Sequence, residues 1–241
     1  VRKLGIIVAL PGEKKTLSKP YKKIRQPDGV NIKILLSGMG RDNAASAAHE
    51  LLRADCKALL SWGCAAGLAQ KLLPGDCLIP QSVISEEFST AIAVDDLWHH
   101  SIYKRLSPLT RLYTEPLVES SGLISAAADK IALGKRTGAY GLDMESVAIG
   151  RVATQYNVPF VAIRCIADPV SMSLPDSVTI ALNGVGGLNI PKLLMHTLLH
   201  PSNIAGLIKL AANFKAAQNS LAQSAHLLYP DFCLNETPNN L

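Results

Sequence analysis

Short apolar runs of strand length, each closed by turn-forming residues, recur along the chain and restrict it to few architectures. They are Leu4 to Leu10, Ile32 to Leu36, Ala58 to Ser61, Cys77 to Pro80 and Phe160 to Ile166. Each carries the β-branched or leucine-rich content of a buried strand. Helical spacing fills several gaps between them, most clearly at Arg41 to Ala54, preceded by Gly40, and at Met144 to Tyr156, followed by Pro159. Strands alternating with helices predict an α/β sheet, largely parallel. Ile204 to Leu228 reads as a terminal helix or helix pair. Val170 to Asn189, rich in Gly, Pro and Asn, reads as a long loop, and the chain after Pro230 as a polar tail. One domain over 1–230 with a tail over 231–241 is therefore expected.

Composition narrows the function classes. Hydrophobic residues at 48% against 18% charged can bury a sizeable core. The net charge of +5 comes from small separated groups such as Lys14 and Lys15, Lys22 and Lys23, and Lys135 and Arg136, and aromatics are only 5%. That pattern fits a solvated surface and predicts no nucleic-acid partner. Five cysteines, an odd number without CxxC spacing, fall mostly inside apolar runs and predict reduced thiols and a cytoplasmic location. Arg2 and Lys3 before the first apolar run imitate a signal peptide, but Pro11-Gly12-Glu13-Lys14-Lys15 stands where a small-residue cleavage site belongs. No run approaches the roughly 20 apolar residues of a spanning helix, so no integral membrane segment is expected. Ile204 to Leu228 is read as a helix packed on the sheet, with peripheral membrane contact as the alternative.

Three carboxylates sit beside strand ends, where open α/β sheets bind ligands. Glu13 follows the first strand, Glu145 lies where Gly141-Leu142-Asp143 enters a helix, and Asp168 closes the run from Phe160 to Ala167. A carboxylate just past a buried strand is partly desolvated, which raises its pKa and suits it to proton donation, and Asp168 fits best. Each also has a structural reading: Glu13 as a surface residue, Glu145 as a partner for helix N-terminal N–H groups, Asp168 as a turn former before Pro169. Gly63 to Gly67 reads as a small-residue loop that lets backbone approach a ligand closely. The six histidines show neither HExxH nor regular spacing with cysteine, so no metal is expected. No GxSxG elbow is present. Arg41, after Gly38-Met39-Gly40, is a candidate anion contact at a helix start, or simply an exposed helix arginine.

The motifs occur in a telling order: Glu13, Ser37-Gly38-Met39-Gly40, Gly63-Cys64-Ala65-Ala66-Gly67-Leu68, Pro74-Gly75-Asp76, Asp143-Met144-Glu145-Ser146 and Arg164-Cys165-Ile166-Ala167-Asp168. From Leu4 to Asp168 this resembles the methylthioadenosine/S-adenosylhomocysteine nucleosidase and purine nucleoside phosphorylase superfamily. Its most specific part is the Met-Glu pair opening a helix with the Asp about two dozen residues later. Over Ala139 to Pro169 the chain looks most like the hopanoid-associated phosphorylases, which are understood to remove adenine from adenosylhopane.

The resemblance implies a three-layer α/β/α sandwich with a mixed, partly parallel central sheet, and a homo-oligomer. The partner is a small adenine nucleoside with a bulky or apolar 5′ group, and there is no organic cofactor. Asp168 would donate a proton to purine N7. Glu145 would hold ribose hydroxyls, Met144 would pack on the sugar, and Cys64, Ala65, Ala66 and Asp143 would line the site. Glu13 aligns with the carboxylate that activates water in the nucleosidases, whereas Pro11-Gly12-Glu13 also resembles the Pro-Gly-Asp of bacterial phosphorylases. Inorganic phosphate is therefore a candidate co-substrate, with Gly12 and Arg41 as its candidate contacts. The phosphate-binding arginine of such phosphorylases is replaced by Ser61 and a serine before the acid by Ala167, so water and phosphate stay open as nucleophiles. A plain methylthioadenosine/S-adenosylhomocysteine nucleosidase and a binding protein without turnover are the alternatives.

Overall fold

Residues 2–21, 30–87, 91–108, 111–181 and 203–234 are described in a computed structural model of the chain. The five apolar runs become five strands: β1 (Arg2–Val8), β2 (Val30–Leu36), β3 (Ala58–Gly67), β4 (Cys77–Leu78) and β10 (Phe160–Asp168). Five short strands join them: β5 (Ser82–Ser85), β6 (Ala91–Ala93), β7 (Leu112–Tyr113), β8 (Leu117–Glu119) and β9 (Gly141–Asp143). They form one sheet in the order β6-β5-β8-β9-β3-β10-β4-β7, with β1 also pairing with β3 and β2 pairing with β1. Pairings of β1 with β2 and β3, of β3 with β10, and of β8 with β5 and β9 are parallel. Those of β9 with β3, β4 with β10 and β6 with β5 are antiparallel. The sheet is mixed and partly parallel, as expected.

Helices cover both faces. On one, α2 (Arg41–Arg53) packs on β1 and on α5 (Ser146–Gln155), which also touches β3 and β10. On the other, the long α7 (Asn203–Leu228) lies over β10 and holds α1 (Pro11–Tyr21) and α3 (Asp96–Leu106). The remaining helices are α4 (Ala127–Thr137) and α6 (Asp176–Ala181). Sequence dictates the burial: α2 turns Ala44, Ala47, Ala48 and Leu51 inward at helical spacing. All nine residues of β10 are buried, the signature of a parallel strand covered on both faces. Each large aliphatic side chain so removed from water contributes about 1.5–3 kcal/mol.

Several boundaries differ from expectation. Gly63 to Gly67 is no loop: it continues β3, because β10 pairs with it on one side and β9 on the other, and that pairing overrides the weak strand preference of small residues. Glu13 lies inside α1, and α5 starts at Ser146 rather than Met144, with Glu145 as its cap residue. The expected loop from Val170 contains α6, and its part over 182–189 lies outside the described residues. Packing continues past 230: Phe232 and Cys233 are fully buried, and Trp98 Nε1 donates to the Phe232 carbonyl at 2.8 Å. The tail over 235–241 lies outside the described residues.

Candidate active site

The carboxyl ends of β1, β3 and β10 meet the ends of β8 and β9 around a cavity of about 220 Å³. Because β9 runs antiparallel to β3, with Leu142 opposite Ala66, the chain leaving β9 brings Asp143, Met144 and Glu145 back along the same wall. Cys64, Ala65 and Ala66 of β3, Glu13 of α1 and Asp168 of β10 complete it. All eight residues expected for catalysis or substrate binding therefore line one cavity. Two further expectations are placed elsewhere. Gly12 packs against α7, where an added Cβ would collide with Gln218 Nε2. Arg41 is held by Glu87 at 2.8 Å and Glu119 at 3.6 Å, outside the cavity.

Glu13 is a bound acceptor. Its Oε1 receives the Cys64 N–H at 2.8 Å, and its Oε2 receives those of Ala9 at 3.0 Å and Leu10 at 2.9 Å. Burial pushes its pKa above the usual carboxylate value, while Arg164 and these three N–H groups pull the other way. Gly63 makes the arrangement fit: a Cβ there would stand 2.6 Å from Glu13 Oε1 and 3.1 Å from Arg164 Nη1.

Arg164 is the charge partner beneath the site. Its guanidinium is buried and pairs with Asp143 Oδ2 at 2.7 Å through Nη2 and 2.9 Å through Nε. Nη2 also donates to Ser61 Oγ at 2.7 Å and Ser146 Oγ at 3.1 Å. A cation therefore stands beside Ser61, from β10, but it is engaged by Asp143 and does not line the cavity. Asp143 further receives the Ser146 hydroxyl at 2.5 Å and the Glu145 and Ser146 N–H groups at the start of α5. Glu145 is held by the Gly40 N–H at 2.8 Å, a contact that the φ of 94° at Gly40 permits. Burial, then the neighbouring Asp143, push Glu145 up to about 7. The same two causes push Glu119, opposite Asp143 in register, up to about 7.

Asp168 ends β10 at the cavity wall. Its Oδ1 receives Lys130 Nζ at 2.8 Å, and Lys130, on α4, is fully buried. Burial raises the Asp168 pKa, and the ammonium opposes it. Burial also pushes the Cys64 thiol well up, so it forms a neutral wall rather than a thiolate nucleophile. Among the described residues no group of three or more His, Cys, Asp or Glu could hold a metal ion.

Sequence reasoning quoted Arg164 without a role and passed over Lys130, Glu119 and the apolar end of the cavity. That end is built by Leu123 and Ile124 after β8, Leu174 and Val178 near α6, and Leu210 and Phe214 of α7. Ser120-Ser121-Gly122 behind a short apolar run was the available signal for the first pair; the others come from distant segments and left none.

The sequence model of the Phosphorylase superfamily matches residues 3–184. A 5′-methylthioadenosine/S-adenosylhomocysteine nucleosidase of Anoxybacillus flavithermus is 29% identical over 166 residues, 58% of this chain and 69% of the relative. The one from Oceanobacillus iheyensis is 30% identical over 159 residues, 57% and 68% of the two chains. Among solved structures, the same nucleosidase from Neisseria meningitidis, in complex with methylthio-immucillin-A, superimposes with a TM-score of 0.71 at 16% identity, covering 95% of this chain and 99% of that one. Futalosine hydrolase of Helicobacter pylori gives 0.70 at 13% identity, covering 93% and 95%. With that fold, and with a family match over most of its length, the chain belongs to the phosphorylase superfamily and is an enzyme of its nucleosidase and nucleoside phosphorylase kind.

Proposed function

We propose that the protein hydrolyses the N-glycosidic bond of an adenine nucleoside carrying an apolar 5′ group. One observation carries the choice of water over phosphate: among the described residues, the ionisable side chains lining the cavity are the carboxyl groups of Glu13, Asp143, Glu145 and Asp168, with no cation. A phosphate dianion would enter against like charge in a partly desolvated site, whereas a sugar developing positive charge is stabilised there.

In the reaction the C1′–N9 bond breaks and its electron pair enters the purine, while Asp168 gives a proton to N7. Water adds to C1′ and passes its proton to Glu13, whose three backbone donors hold it as an acceptor facing the cavity. Glu145 accepts from ribose hydroxyls and Met144 packs on the sugar. The apolar end formed by Leu174, Val178, Leu210 and Phe214 suits an apolar 5′ group. The relatives' names put methylthioadenosine and S-adenosylhomocysteine first among substrates, and the resemblance over Ala139 to Pro169 adds a lipid-linked adenosine. All five cysteines are free thiols, which fits a reducing cytoplasm, and assembly as a homo-oligomer follows from the resemblance. No helix among the described residues is long and apolar enough to cross a membrane.

The test is adenine release from 5′-methylthio, 5′-homocysteinylthio and 5′-alkyl adenosines, with and without phosphate, identifying the sugar by mass. Free sugar at a rate indifferent to phosphate is expected. A sugar 1-phosphate would overturn hydrolysis, and Asp168→Asn should reduce release by about a hundredfold or more while substrate binding persists.

A further inference from the structure

Lys130 is a lysine with no exposed surface, on a helix that otherwise buries only Leu133. Its ammonium spends all three hydrogens: on Asp168 Oδ1 at 2.8 Å, on the Pro169 carbonyl at 3.1 Å and on the Met172 carbonyl at 2.6 Å. None is left for a substrate, so the residue acts through Asp168. A methionine or leucine at 130 would fill similar space without desolvating a charge, which costs several kcal/mol per ion in protein interiors. Packing therefore does not account for a lysine here.

We propose that Lys130 is a positioning residue for Asp168: it fixes one carboxyl oxygen, leaves the other to the purine ring, and stabilises the carboxylate formed when the proton departs. This rests on the reading of Asp168 as proton donor. In the step, the Asp168 O–H bond breaks and an N7–H bond forms as the C1′–N9 electron pair moves into the purine. Negative charge then appears on Asp168, hydrogen-bonded to Lys130 Nζ. Burial by itself would leave Asp168 protonated but a weak acid, and the lysine restores its strength. Lys130 is the charged group acting directly on this carboxyl. Around the cavity the further ionisable groups are Glu13 of α1, Glu119 of β8, Asp143 at the end of β9, Glu145 after it and Arg164 of β10.

The experiment compares kcat and KM against pH for wild type, Lys130→Met and Asp168→Asn on two substrates: 5′-methylthioadenosine and the matching riboside of 4-nitrophenol, whose leaving group needs no ring protonation. For Lys130→Met, kcat on the nucleoside should fall roughly tenfold to a hundredfold with KM little changed. The basic limb of its profile should move to higher pH by about one unit, while the nitrophenyl riboside loses far less. Equal losses on both substrates, or an unmoved basic limb, would make Lys130 merely structural and overturn the proposal while leaving Asp168 as donor. Undiminished adenine release by Asp168→Asn would instead remove the donor itself. Should Lys130→Met fail to fold, the wild-type protein with ¹⁵N-labelled lysine decides. The Lys130 Nζ chemical shift should change across the midpoint of the basic limb as its partner Asp168 ionises, and a flat signal across that midpoint overturns the proposal.

Discussion

At Gly63 a missing side chain lets a carboxylate and a guanidinium occupy one small volume, and the consequence can be measured. Gly63→Ala puts a methyl group 2.6 Å from Glu13 Oε1 and 3.1 Å from Arg164 Nη1, so Glu13 must move and Arg164 must give a little. Overpacking of this kind costs about 1–3 kcal/mol. Under the proposed hydrolysis turnover should fall more than tenfold, since the displaced group is the carboxylate that would activate water, and steady-state kinetics beside a urea melt separates the two losses. Arg164→Met leaves Asp143 buried and unpaired, with an expected cost of about 3–5 kcal/mol in the urea melt. Arg164→Lys should recover only part, because an ammonium cannot reproduce the two-pronged contact to Asp143 and the contact to Ser61. Glu13, Glu145 and Asp168 were legible in the sequence because each interrupts or closes an apolar run. Arg164 was hidden by standing inside such a run, where its charge is answered by residues far away in sequence. Lys130 was hidden because α4, with charged residues on several faces, reads as an exposed helix.

Among the elements, β10 and the first half of β3 were readable from composition, since strands buried on both faces must be nearly continuous in apolar residues. The short strands β5 to β9 were not, because two to four residues carry no period and their pairing is decided by the rest of the sheet. In α3, Trp98, Ile102 and Leu106 recur at helical spacing behind Asp95, which accepts the Trp98 N–H; this signal was present and went unread. The segment after α7 shows how composition misleads: a few polar residues near the terminus outweighed Phe232, whose ring meets Trp62 edge-on at 5.9 Å. That ring ties the segment after α7 to β3, whose Trp62 in turn donates through Nε1 to Thr16 Oγ1 of α1 at 3.0 Å. Phe232→Ala should therefore cost about 3–5 kcal/mol in thermal or urea unfolding, and should slacken α1, the element bearing Glu13.

Over the whole molecule, the buried carboxylates set the pH dependence of stability. Glu13, Glu119, Glu145 and Asp168 all have pKa values raised on folding, chiefly by burial, with Glu119 and Glu145 at about 7. A raised folded-state pKa means that the native protein binds more protons than the unfolded chain between the two values. The stability so conferred is complete below the ordinary carboxylate pKa and is lost as pH rises through about 7. Calorimetry should therefore find the melting temperature falling from pH 5 to pH 8. Glu119→Gln should flatten that fall, since a shift as large as that of Glu119 corresponds to about 3 kcal/mol. The fold itself was legible from the alternation of strands and helices, whereas the meeting of α4, α6 and α7 with the strand ends was not, because long-range packing has no local trace. The chemical groups are also distributed unequally over the frame. Asp168 belongs to β10 and Glu13 to α1, so under the proposed hydrolysis the group that expels the base and the group that activates water stand on separate elements, and a disturbance of one need not reach the other.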